Sequence, residues 1–226
     1  MSSEVGCLDC GIATIRASAR NKQPHIAATR AGKHLFLDFQ YAVCPHGLTH
    51  ATTFPNYLLI VDAYSRYSKL YGLLHKSSSE VIVALKKFQA EKPFLKELGH
   101  LDTEKIRADA GSEFDSALFA QHCFDEGIRL TLAAPKKQCQ NHLAERTWQM
   151  ISSIARSLLV HARLPDIFLY QALIYAAHMF NVLPVCGLKN QAEVPSKPHE
   201  LFFGVKPCIL SYRVFGCPSV VKRWVT

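Results

Sequence analysis

The 226-residue sequence has no glycine-rich phosphate loop, no dinucleotide fingerprint, no Gly-x-Ser-x-Gly elbow and no His-Glu-x-x-His pair. P-loop nucleotide hydrolysis, nicotinamide redox chemistry, serine-hydrolase chemistry and zincin-type proteolysis are therefore not written in it. It has no Asn-x-Ser/Thr sequon, and Met1 to Cys7 carry neither the basic nor the apolar region of a secretory signal. Low-complexity runs and internal repeats are missing as well. Long apolar runs are scarce. The longest worth a membrane test, Ile167 to Val185, is interrupted by Gln171, His178, Asn181 and Pro184 and reads as a buried helix. No membrane association is expected.

Acids are the charged residues in short supply, 18 against 26 Lys and Arg, so the chain carries +8. Such an excess favours an acidic partner, nucleic acid ahead of a membrane surface. Eight cysteines are present but scattered, at positions 7, 10, 44, 123, 139, 186, 208 and 217. Disulfide-stapled secreted domains are shorter and denser in cysteine, so a reduced, intracellular setting is expected. A hydrophobic fraction of 49% with 19% charged residues is enough for one well-packed domain, with room for a small appendage.

Periodicity organises the chain. In residues 33–41, Leu35, Leu37, Phe39 and Tyr41 alternate onto one face while Phe36, Asp38 and Gln40 take the other, predicting a strand. Two further strands are predicted over 57–63 and 68–74, hairpin-paired across a turn at Ser65-Arg66. Ser77-Ser78-Ser79-Glu80 reads as a capped start for a helix bearing Val81, Leu85 and Phe88. A short strand follows at 105–108, then a helix over 114–126 stopped by Gly127. Next come a strand over 128–132, a polar loop after Pro135, and a long helix over 141–162. The stripe of that helix is Ala144, Trp148, Ile151, Ala155, Leu158 and Ala162. Pro165 opens another apolar helix reaching about residue 183. The tail is expected to hold a short helix near 199–203 and a strand near 212–215. The order β-β-β-α-β-α-β-α-α predicts an α/β domain: a mixed sheet of an antiparallel meander plus further strands, covered by helices.

Three carboxylates stand in unusual positions. Asp38 lies mid-strand among Leu, Phe and Tyr, Asp109 at the end of a buried strand before a glycine, and Glu145 in the first turns of the long helix. Acids are seldom buried unless paired or bound to metal, and three on neighbouring elements would repel without a cation. Two-metal phosphoryl chemistry needs such oxygen ligands. A plainer reading also fits the residues: Asp38 as a hydrogen-bonded edge-strand acid, Asp109 as a turn acid, and Glu145 as a favourable charge at a helix N-terminus.

Sequence context adds to this. The stretch from Pro135 through Gln140, Asn141, Glu145 and Arg146 resembles the Pro…Asn-Gly-x-x-Glu-Arg signature of retroviral-type integrases. Asp109-Ala-Gly-Ser-Glu-Phe, Ile60-Val-Asp-Ala-Tyr-Ser-Arg-Tyr, Ile154-Ala-Arg-Ser-Leu-Leu-Val-His-Ala-Arg-Leu-Pro and Arg213-Val-Phe-Gly-Cys resemble copia-type retrotransposon integrases more closely. The resemblance runs from about Cys7 to Val220. It implies a ribonuclease H-like fold, a five-stranded mixed sheet flanked by helices, and a catalytic triad of Asp38, Asp109 and Glu145 holding two Mg²⁺ or Mn²⁺ ions. It also implies that Asp62 is structural.

The implied activity is metal-dependent DNA strand transfer in the nucleus, on double-stranded DNA, by a homo-oligomer with no small-molecule cofactor. Lys136, Lys137, Gln140, Asn141 and Arg146 are the expected DNA contacts. A catalytically inactive transposon-derived module that binds DNA or protein is a second reading, and a ribonuclease H-type nuclease a third. Three departures from the family pattern bear on activity rather than fold. His142 stands where a loop glycine is usual, Ala110 where Asn is usual, and Phe39-Gln40 where Gly-Pro often follows. Cys7 and Cys10 resemble the second half of a His-His-Cys-Cys zinc module, so zinc is expected only with a His pair upstream. The expected domains are a remnant of that module over 1–24, the catalytic core over 25–205, and the start of a C-terminal extension over 206–226.

Overall fold

The computed structural model describes residues 28–41, 54–91, 103–133, 141–185, 188, 196–209 and 212–218. Cys7, Cys10, Lys136, Lys137 and Gln140 lie outside the described residues, as does the whole of the predicted 1–24 module.

Five strands form one sheet: β1 (His34–Tyr41), β2 (Asn56–Asp62), β3 (Ser68–Leu73), β4 (Lys105–Ala108) and β5 (Arg129–Leu132). Their order is β3-β2-β1-β4-β5. β1 pairs antiparallel with β2, and β2 with β3, while β4 runs parallel to both β1 and β5. The mixed sheet is the one expected, and β1 lies at its centre. That corrects the edge-strand reading of Asp38, because both sides of β1 carry a hydrogen-bonded neighbour.

Alternation along β1 assigns the two faces. Leu35, Leu37 and Phe39 join Leu58 and Ile60 in one apolar cluster with helix α1 (Ser78–Ala90) and helix α2 (Ala117–Asp125). Phe36 joins Tyr57, Leu59 and Val61 on the other, against helix α3 (His142–Ala162) and helix α4 (Leu169–Val182). Each fully buried Leu, Ile or Phe in these layers contributes roughly 1.5–3 kcal/mol over its exposed state. A short helix, α5 (Pro198–Phe203), sets Phe202 face to face with Tyr67 at 4.4 Å on the first side.

The helix ends follow local chemistry. Ser77 caps α1 by accepting the Glu80 N–H, while the Glu80 carboxylate reaches back to the Leu74 and His75 N–H groups at 2.9 and 3.1 Å. The first bond satisfies a donor the helix start leaves open, and the other two fasten the segment leading into it. Ser116 caps α2, so that helix starts three residues later than its apolar pattern predicts. Phe114 instead belongs to a turn closed on the Gly111 carbonyl, with its ring in the core. Gly127 stops α2 at φ +67°, as expected. The stripe of α3 is shifted slightly: Leu143, Thr147 and Leu159 are buried, whereas Trp148, Leu158 and Ala162 are half-buried.

The apolar segment after Pro165 is a turn of 3₁₀ helix (Asp166–Phe168) followed by α4, packed on the sheet. No helix among the described residues is long and apolar enough to cross a membrane. Within α4, Asn181 is buried, donating to the Ser68 carbonyl at 2.7 Å and accepting the Ser68 N–H at 2.9 Å. The strand predicted over 212–215 does not form. Tyr212 and Phe215 pack as irregular chain against Tyr175, whose hydroxyl donates to the Arg213 carbonyl.

Candidate active site

The parallel register of β1 and β4 sets Phe36 beside Arg107. Two residues further along each chain stand Asp38, on the Phe36 face of β1, and Asp109, just past the end of β4, whose charge Asp38 feels. Glu145 sits in the first turn of α3, next to the fully buried Ala144. The start of α3 is hooked to β1 by Asn141, whose buried side-chain amide donates to the Leu37 carbonyl at 2.9 Å. That bond holds Glu145 over the strand segment bearing Asp38. Sequence reasoning assigned Asn141 to DNA, yet its side chain is 3% exposed and joins two elements.

The three acids are electrostatically aware of one another. Burial, reinforced by repulsion from Asp109 and Glu145, pushes the Asp38 carboxyl up to about 6 against the pull of a hydrogen bond from Gln40. Asp109 is raised by burial and then by Glu113, while N–H groups of the following turn pull it back. Glu145 is raised by burial and by Asp109. In each case desolvation leads, and like charge adds to it. The turn reading of Asp109 is thus part of the picture: its backbone bonds exist, and they leave Oδ1 buried with no hydrogen bond among the described residues.

Hard oxygen donors, mutual repulsion and an orphaned carboxylate oxygen fit a divalent cation. Among the described residues, no three His, Cys, Asp or Glu side chains are gathered closely enough to hold one as they stand. The fit is therefore one of donor chemistry and mutual repulsion.

Three neighbours escaped the sequence reading as members of this site. Gln40 donates from Nε2 to Asp38 Oδ2 at 2.7 Å. Glu113, with a side chain only 1% exposed, lies 3.2 Å from Lys76 Nζ. A Cβ at position 111 would fall 2.6 Å from a Glu113 oxygen, so glycine is what lets that carboxylate fold back against the turn. The signal for Glu113 was an acid directly before a core Phe; nothing in sequence linked it to Lys76. Arg146 is exposed beside Glu145, close enough to lower the half-buried Arg66 further by repulsion.

Asp62 is separate from this group. It is wholly buried and accepts from the Gly32 N–H (2.7 Å), the Ser65 N–H (2.7 Å) and the Ser65 hydroxyl (2.6 Å). A carboxylate so surrounded ties the β2–β3 turn to the segment before β1.

No protein-family model matches the chain. Over 219 residues it is 28% identical to a retrovirus-related Pol polyprotein from transposon RE1 of Arabidopsis thaliana, covering 94% of this chain and 13% of that polyprotein. The corresponding polyprotein from transposon RE2 of the same plant is 29% identical over 71% of this chain and 10% of its own length. The polyprotein from transposon TNT 1-94 of Nicotiana tabacum is 28% identical over 71% of this chain and 11% of its own. The chain thus spans only a small part of these relatives.

Among solved structures, a simian T-cell lymphotropic virus intasome in complex with PP2A regulatory subunit B56 gamma superposes with a TM-score of 0.61. It is 18% identical, and the match covers 96% of this chain and 69% of that one. The HTLV-2 integrase catalytic core domain in complex with magnesium, in its trimeric form, gives a TM-score of 0.53 at 20% identity, covering 77% and 98%. Sequence relatives and fold agree: the chain is similar to short stretches of the Pol polyproteins of retrovirus-like transposons, and its mixed five-stranded sheet flanked by helices has the fold of the retroviral integrase catalytic core.

Proposed function

We propose that this chain is a retrotransposon integrase catalytic domain that binds double-stranded DNA and transfers polynucleotide strands. The observation that carries the reading is that Asp38, Asp109 and Glu145 are each raised by burial and then by a neighbouring acid, with Asp38 feeling both of the others. Asp38 comes from the centre of the sheet, Asp109 from the mouth of β4, and Glu145 from a helix start anchored to β1 through Asn141. These three would hold two Mg²⁺ or Mn²⁺ ions, as the magnesium complex of the HTLV-2 core supports for a chain of this fold. Bound there, such ions would activate the attacking oxygen and stabilise the leaving oxygen of an in-line displacement.

The chain's own residues do the remaining work. The acids are not gathered closely enough to hold a cation as they stand, so movement of their side chains would accompany ligand binding. Lys136, Lys137 and Gln140, just before Glu145 in sequence, and Arg146 directly after it, would contact phosphates and give affinity without sequence preference. A homo-oligomer is part of the proposal, since the HTLV-2 core occurs in trimeric and dimeric forms. So are nuclear action and a zinc half-site at Cys7 and Cys10, which would hold zinc only with a His pair upstream.

Asp109→Asn and Glu145→Gln test the reading. Both variants keep side-chain shape and remove charge, so they should fold yet lose joining of paired DNA ends. Saturating Mn²⁺ should raise the melting temperature of the wild-type chain and not of either variant, because only the native state gathers the ligands. Equal metal shifts in all three would overturn the triad. Metal binding without strand joining would favour the inactive DNA- or protein-binding module, and cleavage of an RNA–DNA hybrid alone would favour a ribonuclease H-type nuclease.

A further inference from the structure

The Arg213-Val-Phe-Gly-Cys motif has no part in the acidic site. It belongs instead to one wall of a cleft of about 820 Å³. Tyr212, Arg213 and Phe215 line the cleft from the tail, and Tyr170, Tyr175 and His178 line it from α4. That volume is in the range that encloses a drug-sized ring system.

Bonds within the chain hold the two walls together. The Tyr175 hydroxyl donates to the Arg213 carbonyl, and His178 Nδ1 lies 2.9 Å from the Tyr212 hydroxyl. Gly216 has φ +78°, and a Cβ there would fall 2.6 Å from the Ala162 Cβ. Glycine thus lets the tail lie close against the end of α3.

The rings themselves are not stacked on one another. Tyr212 meets Tyr175 at 70° and His178 at 52°, and Phe215 meets Tyr175 at 51°. Among the described residues, no ring lies parallel to Tyr175, Tyr212 or Phe215. All three are half-buried, while His178 and Arg213 are exposed. Arg213 supplies the one formal charge among the described lining residues, and no acid is present there. Ring faces beside a guanidinium, with no carboxylate, suit a flat π-system that carries negative charge. Bases joined to phosphates are such a ligand, and an unpaired base has faces free to stack on protein rings.

We propose that this cleft takes unpaired bases of single-stranded DNA, stacked on Tyr212 and its neighbours, with Arg213 on a flanking phosphate. The inference rests on the DNA-binding reading above and adds to it a contact for single strands remote in sequence from the three acids.

The test compares, on the full chain without metal, an oligothymidylate of about ten nucleotides with an abasic strand of equal length and charge. The wild type should bind the base-bearing strand roughly five- to fiftyfold more tightly. Tyr212→Leu keeps apolar bulk and loses the ring, so it should erase most of that preference, and Phe215→Leu should reduce it from the same wall. Tyr212→Phe should retain it. Arg213→Gln should weaken both strands alike, by about two- to fivefold. Duplex affinity should be equal in the wild type and all three ring variants. Equal binding of the two strands by the wild type overturns the inference, as does a preference that survives both leucine variants. Self-association lost in Tyr212→Leu, with no preference between strands, would assign the cleft to a second copy and also overturn it. No binding of duplex or single strands by the wild type would instead overturn the DNA reading, and this inference with it.

Discussion

Where β2 ends, Asp62 is enclosed by two backbone N–H groups and a serine hydroxyl, all within 2.7 Å. It pairs across the strands with Leu35, and three residues further along β1 stands Asp38, also buried. Asp38 receives one side-chain amide, from Gln40, and faces two other acids. Two aspartates of the same sheet thus have opposite surroundings. One has donors arranged to hold its charge; the other has neighbours that make its charge costly. The first arrangement stabilises a fold, and the second leaves an unmet demand for positive charge that a bound cation would satisfy.

The comparison breaks most visibly at Asp62. Asp62→Asn exchanges an acceptor for an NH₂ group among three donors, which should cost about 2–4 kcal/mol by chemical denaturation. The Mn²⁺ response of this variant should survive. A loss below a few tenths of a kcal/mol would mean that the corner relaxes around the amide, and the contrast with Asp38 would fail.

Asp38→Asn should act with the opposite sign at neutral pH. The folded carboxyl titrates at about 6, above its unfolded range, so the folded state binds a proton more tightly than the unfolded state. The stability this provides is complete below the unfolded value and lost as pH rises through about 6. The metal-free variant should therefore exceed the wild type by roughly 1–3 kcal/mol near pH 7, with the gap closing toward pH 4. Urea melts across that range check it. A gap independent of pH would assign the effect to packing.

The smallest effect belongs to Gln40→Ala. Loss of the amide removes a bond that favours the charged form of Asp38, so the midpoint of that pH-dependent gap should move upward. The accompanying stability change at low pH should stay within about 1 kcal/mol. A downward movement would show that Gln40 acts through water exclusion rather than its hydrogen bond.

Much of the fold was readable because its signals are local. The alternation of Leu35, Leu37 and Phe39, the Ser77 cap and the Gly127 stop each specify backbone within a few residues. Errors arose where tertiary contacts override the pattern. Phe114 looks helical by spacing but is committed to the turn before the Ser116 cap, and Tyr212 to Phe215 have strand-like composition with no sheet edge to join. The site divides in the same way. Asp38, Asp109 and Glu145 were singled out by composition and motif, but the repulsion Asp38 feels from the other two depends on how β1, β4 and α3 pack, which no single segment encodes. Asn141 has a polar, loop-like address, and its burial follows only from docking α3 on β1. Lys76 and Glu113 share no periodic relation, so their pairing becomes visible only once two helix starts meet.

The double bond between Asn181 and Ser68 has a consequence for how copies of this chain can meet. β3 borders the sheet, and the backbone of a bordering strand is a template onto which another strand can add. At Ser68 the N–H and carbonyl are already taken by the amide of Asn181, an imitation of the strand that would otherwise dock there. A foreign strand approaching β3 from that end finds its first rung filled and the bulk of α4 behind it. Strand-to-strand addition is therefore obstructed where β3 begins, which leaves β5 as the sheet's other border.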